Sequence, residues 1–201
     1  MKKLLLLALL VASSAPLTFA QSTSDDDFPN AEFFIGFSHN RIDTQVDEFD
    51  EDENPFDDRE GLNGFDTQVT ANINRYFGIK GDISGHYKSD SFDFDGSQFK
   101  ARTQLYNFLA GPEVKARNSS RVTPFAHALF GVGHTRVRFS ADDFDDTTES
   151  ETDFAMAFGG GIDVSVNDKI SLRVIQADYN PTFFGDTRQD NIRLSFGVVF
   201  K

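Results

Sequence analysis

The sequence predicts an all-β protein, an eight-stranded antiparallel up-and-down transmembrane β-barrel. Three observations predict it. Hydrophobic residues alternate with polar ones at period two from Ala31 onward, which puts successive side chains on opposite faces of a strand. The alternating segments run to about 10–14 residues, longer than the usual 5–6 and long enough for a tilted strand to cross a bilayer. The connectors alternate between long acidic stretches and short turns.

Met1–Ala20 has the parts of an export signal: Lys2 and Lys3, an apolar run from Leu4 to Ala12, and small residues from Ser13 to a cleavage site after Ala20. The run is shorter than the roughly 20 residues a spanning helix needs. Residues 21–30 form a short acidic segment, and 31–201 the barrel domain. Asn118-Ser119-Ser120 matches a glycosylation sequon, which matters only in a eukaryotic secretory pathway.

The first strand is expected within Ala31–Ile42. The second, Gly64–Asn74, sets Phe65, Thr67, Val69, Ala71 and Ile73 against Asp66, Gln68, Thr70, Asn72 and Asn74. The third sets Ile79, Ile83 and Tyr87 against Lys80, Asp82, Ser84 and His86. The fourth and fifth lie within Phe99–Val114 and Val122–Val137. The sixth sets Phe154, Met156, Phe158, Ile162 and Val164 against Ala155, Ala157, Gly159, Gly161 and Asp163. In the seventh, Ile170–Tyr179, only a bulge puts Arg173 and Asp178 on one face, because a bulge shifts the phase by one residue. The eighth sets Ile192, Leu194, Phe196, Val198 and Phe200 against Asn191, Arg193, Ser195, Gly197 and Val199.

Long connectors are expected at Asp43–Gly61, Lys88–Ser97, Ala141–Asp153 and Asn180–Asp190, and tight ones at Arg75–Gly78, Lys115–Arg121 and Val166–Lys169. The first three long connectors carry 20 of the 32 acidic residues. The short turns hold Arg75, Lys115, Arg117, Arg121 and Lys169. One rim is therefore acidic and the other mildly basic. Tyr76, Phe77, Tyr87, Tyr106, Phe154, Tyr179 and Phe200 are expected near strand ends, as interfacial girdles.

Composition narrows the function. A formal net charge of −13 argues against nucleic-acid binding. The absence of cysteine removes disulfides, thiolate metal sites, a cysteine nucleophile and lipoprotein attachment. An eight-stranded barrel is just wide enough for its own side chains. Lys80, Arg173 and Arg193 against Glu32, Asp66, Asp82 and Asp163, with Gln68, Asn72, His86 and His127, form the expected lumen set. They fit a polar plug, or alternatively a gated pore. No catalytic, cofactor-binding or metal residues are expected. Ser84 and His86 share a face but stand about 6.8 Å apart by strand rise, too far for a nucleophile–base bond. Ser38 and His39 point to opposite faces. Ser91, Asp93, Asp95 and Gly96 begin a calcium-loop pattern that fails where Arg102 stands in place of glutamate. Looser divalent-cation binding by the acidic loops stays open. The Gly159–Gly161 run is no phosphate loop and serves a bend or a close approach. Phe-Asp pairs recur at 49, 56, 92, 94 and 144, either packing loop on loop or forming an adhesive surface.

The exported start, the Asn72–Gly78 strand-turn, the Gly159–Asp163 segment and the ending Leu194–Phe200 together resemble the eight-stranded outer-membrane β-barrel family, the OmpA-like and porin-family outer membrane protein β-barrel domains. The resemblance implies residence in the outer membrane of a Gram-negative envelope, contact with its lipids, and a terminal strand ending at the aromatic Phe200 that the barrel-assembly machinery reads. No peptidoglycan-binding domain is expected. The resulting expectation is a structural or surface-interaction protein presenting acidic loops, not an enzyme. The alternatives are a narrow porin-like channel, a soluble lipocalin-like binding barrel and a lipid-A-modifying enzyme.

Overall fold

Runs of β-branched and aromatic residues at period two make strands that cannot end in open edges, and the chain resolves this by closing on itself. The computed structural model describes residues 28–43, 59–94, 97–141, 144–184 and 187–201. The strands are β1 (Ala31–Asp43), β2 (Arg59–Asn72), β3 (Phe77–Phe94), β4 (Ser97–Lys115), β5 (Val122–Ala141), β6 (Phe144–Ser165), β7 (Ile170–Phe184) and β8 (Thr187–Phe200). Each pairs antiparallel with the next. The β1–β8 pair, Phe33 opposite Phe200 through Arg41 opposite Ile192, closes the barrel.

The apolar face lies outside. Val69, Ile83 and Phe196 are 53%, 48% and 55% exposed, whereas Gln68 and Arg193 on the alternate positions are 1% and 0% exposed. A water-soluble barrel would reverse this arrangement. On β5 the outward positions are apolar from Val122 through Phe130 to Val132. Ten steps at a rise of ~3.3 Å and a tilt of ~40° span ~25 Å of height, the thickness of an outer-membrane apolar band.

Three of the expected long connectors are corrected. Lys88–Ser97, Ala141–Asp153 and Asn180–Asp190 are mostly paired strand. β3 and β4 stay in register to Phe94 opposite Ser97, β5 and β6 to Ala141 opposite Phe144, and β7 and β8 to Phe184 opposite Thr187. The strands accordingly run to as many as 22 residues. Antiparallel ladders are built from backbone bonds, so polar side chains do not end them once the strand has left the hydrocarbon. The fourth connector, at Asp43–Gly61, falls mainly outside the described residues, as do residues 1–27 and the Phe-Asp pairs at 49 and 56. The Phe-Asp pairs beginning at 92, 94 and 144 sit on strand ends whose side chains are also outside the described set.

The extended hairpins also correct the aromatic expectation at one rim. Phe77 and Phe200 are at strand ends and Tyr76 in the adjoining turn, but Tyr87, Tyr106, Phe154 and Tyr179 are mid-strand. Tyr87 and Tyr106 pack edge-on at 5.7 Å, and Phe154 lies 6.0 Å from Phe183. This upper belt marks the membrane surface, and the hairpins continue above it.

The bulge is present. Register shifts between Arg173 and Gln176, leaving Val174 and Ile175 both outward at 60% and 47% exposure. Arg173, Gln176 and Asp178 consequently all face the lumen, each nearly or fully buried. Gly159 and Gly161 serve close approach. A Cβ at 159 would stand 2.2 Å from Asp178 Oδ1, and one at 161 would stand 2.9 Å from the Phe125 ring.

Candidate functional site: the lumen and its rims

A charged side chain inside the barrel is tolerable only when paired and hydrogen-bonded, and the lumen is organised around that requirement. Arg193 of β8 is fully buried. It donates to Asp82 Oδ1 and Oδ2 of β3 at 2.9 and 2.8 Å, to Asp178 Oδ2 of β7 at 3.0 and 2.8 Å, and to Ser84 Oγ at 2.9 Å. Arg173 forms a second centre. Its fork donates to both oxygens of Asp163 at 2.8 and 3.1 Å and to the side-chain oxygens of Gln68 and Gln176 at 2.6 and 2.7 Å. Its guanidinium lies between the rings of Phe34 and Phe125, at 4.3 and 4.2 Å, adding cation–π contact on both faces. Gln68 links the centres by donating to Asp66 at 2.8 Å and Asp82 at 3.0 Å.

A third chain of ion pairs descends toward the short-turn rim. Lys80 pairs with Glu113, Lys115 with Glu113 at 3.2 Å and with Glu32, and Arg117 with Glu32 at 3.2 Å. It opens into a cavity of about 280 Å³ lined by Glu32, Arg75, Lys115, Arg117, Asp163 and Lys201 among others. Burial lowers the Lys201 ammonium from its ordinary value, and Arg117 lowers it further. The β4–β6 side of the lumen is apolar, with Leu109, Leu129, Ala155 and Ala157 in one cluster.

Ten of the eleven residues expected in the lumen are buried there, and Asn72 is half-buried at the lower rim, where its side chain donates to Pro29 O at 2.7 Å. The pairing differs from expectation at three residues: Lys80 pairs with Glu113, Glu32 with Lys115 and Arg117, and Arg193 with Asp178 as well as Asp82, so each takes a partner outside the expected charged set. Glu113, Lys115 and Asp178 were missed as lumen groups. Lys115 was expected in a turn, Glu113 follows the strand-breaking Pro112, and the phase of Asp178 depends on the bulge.

The structure also joins Ser38 and His86, which the sequence set beside other partners, His39 and Ser84. His86 Nε2 lies 2.8 Å from Ser38 Oγ, which accepts a bond from Ser195 Oγ at 3.0 Å. The pair forms across the lumen between β1 and β3. His86 Nδ1 has no partner, and Ser38 and His86 are both 0% exposed. The pair thus has no carboxylate behind the imidazole and no open face for a substrate, both of which nucleophilic catalysis needs. Among the described residues no group of three or more His, Asp or Glu side chains could hold a metal ion.

The sequence matches the family model of the outer membrane protein beta-barrel domain over residues 4–200. The chain belongs to that family. No curated protein sequence matches it. Among solved structures, the barrel is similar to Ail, the attachment invasion locus protein of Yersinia pestis, whose crystal structure is in complex with the heparin analogue sucrose octasulfate. That match has 20% identity and a TM-score of 0.58, over 85% of this chain and 97% of that one. Neisserial surface protein A is similar at 15% identity and a TM-score of 0.50, over 86% and 97%. At these identities the likeness is one of fold.

As an outer membrane protein of a Gram-negative envelope, the barrel sets its apolar belt in lipid. Its short turns, at 73–76, 116–121 and 166–169, lie at one rim and its long hairpins at the other. The short turns are closed by their own side chains. Asn74 Oδ1 accepts from the amides of Tyr76 and Phe77 at 2.8 and 2.9 Å, and Asn167 Oδ1 from those of Lys169 and Ile170 at 2.9 Å each.

Proposed function

We propose that this outer membrane barrel is a closed, membrane-anchored scaffold whose work is done at its outer surface, where the long hairpins and the acidic connectors meet the surroundings. The observation that carries this reading is the fully buried Arg193 bridging β3, β7 and β8 through Asp82 and Asp178. A conducting path has to break these bonds or pass around them, and the opposite side of the lumen is packed with Leu109 and Leu129. Export by a signal at residues 1–20, assembly through the strand ending at Phe200 and divalent-cation binding by the acidic connectors belong to the same reading. The Ser38–His86 pair, with no carboxylate behind the imidazole and without access, supports a non-enzymatic role.

A second reading is a narrow channel. Asn40, Asp66, His86 and Asn107 each keep at least one buried polar atom without a partner, a set that could pass water or a small ion if the Arg193 bridge opened. Planar-bilayer recording on the refolded protein separates the two. The scaffold reading expects no reproducible unitary current, and a stable current altered by Asp82→Asn supports the channel.

A further inference from the structure

Above the upper aromatic belt the barrel wall divides. β4 and β5 stay paired up to Phe99 opposite Ala141, and β5 and β6 up to Ala141 opposite Phe144. On its other side, β6 pairs with β7 only as far up as Ala155 opposite Thr182. β7 then turns back, with Phe184 opposite Thr187 of β8. Among the described residues, no strand therefore pairs with β6 between Phe144 and Asp153 on the side away from β5. The result is a sheet edge that runs for ~30 Å at ~3.3 Å per residue, beyond the hydrocarbon.

An exposed edge strand is a template for pairing with another chain, and proteins blunt such edges with charges or proline. β6 contains no proline, and its charges between Thr147 and Asp153 lie on one face. Glu149, Glu151 and Asp153 continue the inward row of Ala155 and Ala157, while Thr148, Ser150 and Thr152 continue the outward row of Phe154 and Phe158. All of Thr147–Thr152 is exposed. Directly opposite the three carboxylates on β5 stand Val137, Thr135 and Gly133, which carry no charge. The arginines of β5 at this height, Arg136 and Arg138, stand opposite Ser150 and Thr148, on the other face.

Charge selects the occupant of this edge. A second copy paired antiparallel about Ser150 would set Glu149 against Glu151 and Glu151 against Glu149, and like charges directly opposite destabilise a strand pair. The same row favours a strand with a cation at every other position. The alternate side chains of that strand would lie beside Thr148, Ser150 and Thr152, where hydroxyl and β-branched residues pair well.

We propose that the β6 edge at Thr147–Asp153 is a docking site for an extended basic segment of another protein, which adds a strand to the sheet and sets Lys or Arg side chains against Glu149, Glu151 and Asp153. The proposal rests on the scaffold reading, in which the long hairpins meet the surroundings, and names how they hold a partner. Main-chain bonds supply the attachment, and the alternating side chains supply the selectivity. The three carboxylates then act twice, against self-pairing and for a cationic partner.

The test uses the full barrel refolded in detergent and a short synthetic peptide in which Lys and Thr alternate. Binding is read by fluorescence anisotropy, and its place by amide hydrogen exchange. The peptide should slow exchange of the edge amides between Thr147 and Asp153, and E149Q/E151Q should bind it about fivefold more weakly. D168N, at the opposite rim, should match the parent, and circular dichroism confirms that each variant is folded. A peptide of the same composition with its lysines in one block, and the alternating peptide N-methylated at every other backbone nitrogen, should both fail to protect these amides. Equal protection by the block peptide, no protection by the alternating peptide, or unchanged affinity in E149Q/E151Q overturns the proposal. A dimer that protects the same amides without peptide assigns the edge to a second copy and rejects it as well. Planar-bilayer recording tests the scaffold reading separately: a conducting barrel that still protects these amides keeps the docking site and loses the scaffold, and a silent barrel without protection does the reverse.

Discussion

Arg193 and Arg136 are both strand arginines of the same barrel, and their surroundings are opposite. Arg193 is enclosed by Asp82, Asp178 and Ser84 on three sides and is fully buried. Arg136 stands exposed on the outer wall opposite Gln104, lining one small cavity with Arg102 and Arg138. Inside the barrel every charge needs a protein partner, because neither water nor a ligand is free to supply one. On the outer wall above the apolar belt water reaches the charge, so Arg136 is tolerable there without an enclosing carboxylate shell. The difference teaches that charge balance in this barrel is kept locally by depth and face, not by the chain as a whole.

The contrast can be broken most severely from the inside. Asp82→Asn leaves Arg193 with half of its carboxylate shell and should cost about 3–5 kcal/mol, read from urea unfolding of the barrel in detergent or bilayers. Replacing both partners, as Asp82→Asn with Arg193→Met, should recover much of that loss. Failure to recover would show that the bridge does more than neutralise charge. A smaller effect is expected at mid-depth on the outer wall, where no partner exists. Val69→Arg should destabilise by about 2–4 kcal/mol in a bilayer. The smallest effect is at Arg136 itself. Arg136→Gln in detergent should change stability by no more than about 0.5 kcal/mol, because the side chain is exposed on the outer wall. A large loss there would mean that Arg136 is held by the protein, and the contrast with Arg193 would disappear.

Much of this was legible residue by residue. Alternation in Phe65–Ile73 and Ile192–Phe200 named both faces of β2 and β8, and the lumen positions of Asp66, Gln68 and Arg193 follow from it. The impossible phase of Arg173 and Asp178 announced the β7 bulge. Three things were not legible. Polar composition at Lys88–Ser97 and Ala141–Asp153 read as loop, because side-chain pattern carries no signal for a ladder held by backbone bonds outside the membrane. The partner of Lys80 depends on β4 register, which Pro112 obscures. The Ser38–His86 and Arg102–Arg138 juxtapositions join residues 48 and 36 apart in sequence, and only strand pairing and barrel closure set them.

The sequence by itself determined the strand class, the strand number and which residues share a face, since period two is a local property of the extended chain. Tertiary structure alone decided which face meets lipid, which carboxylate meets which guanidinium, and where like charges are forced together. Those depend on register and closure, which bring distant residues to within a few ångströms and are set by the backbone ladder of the whole barrel.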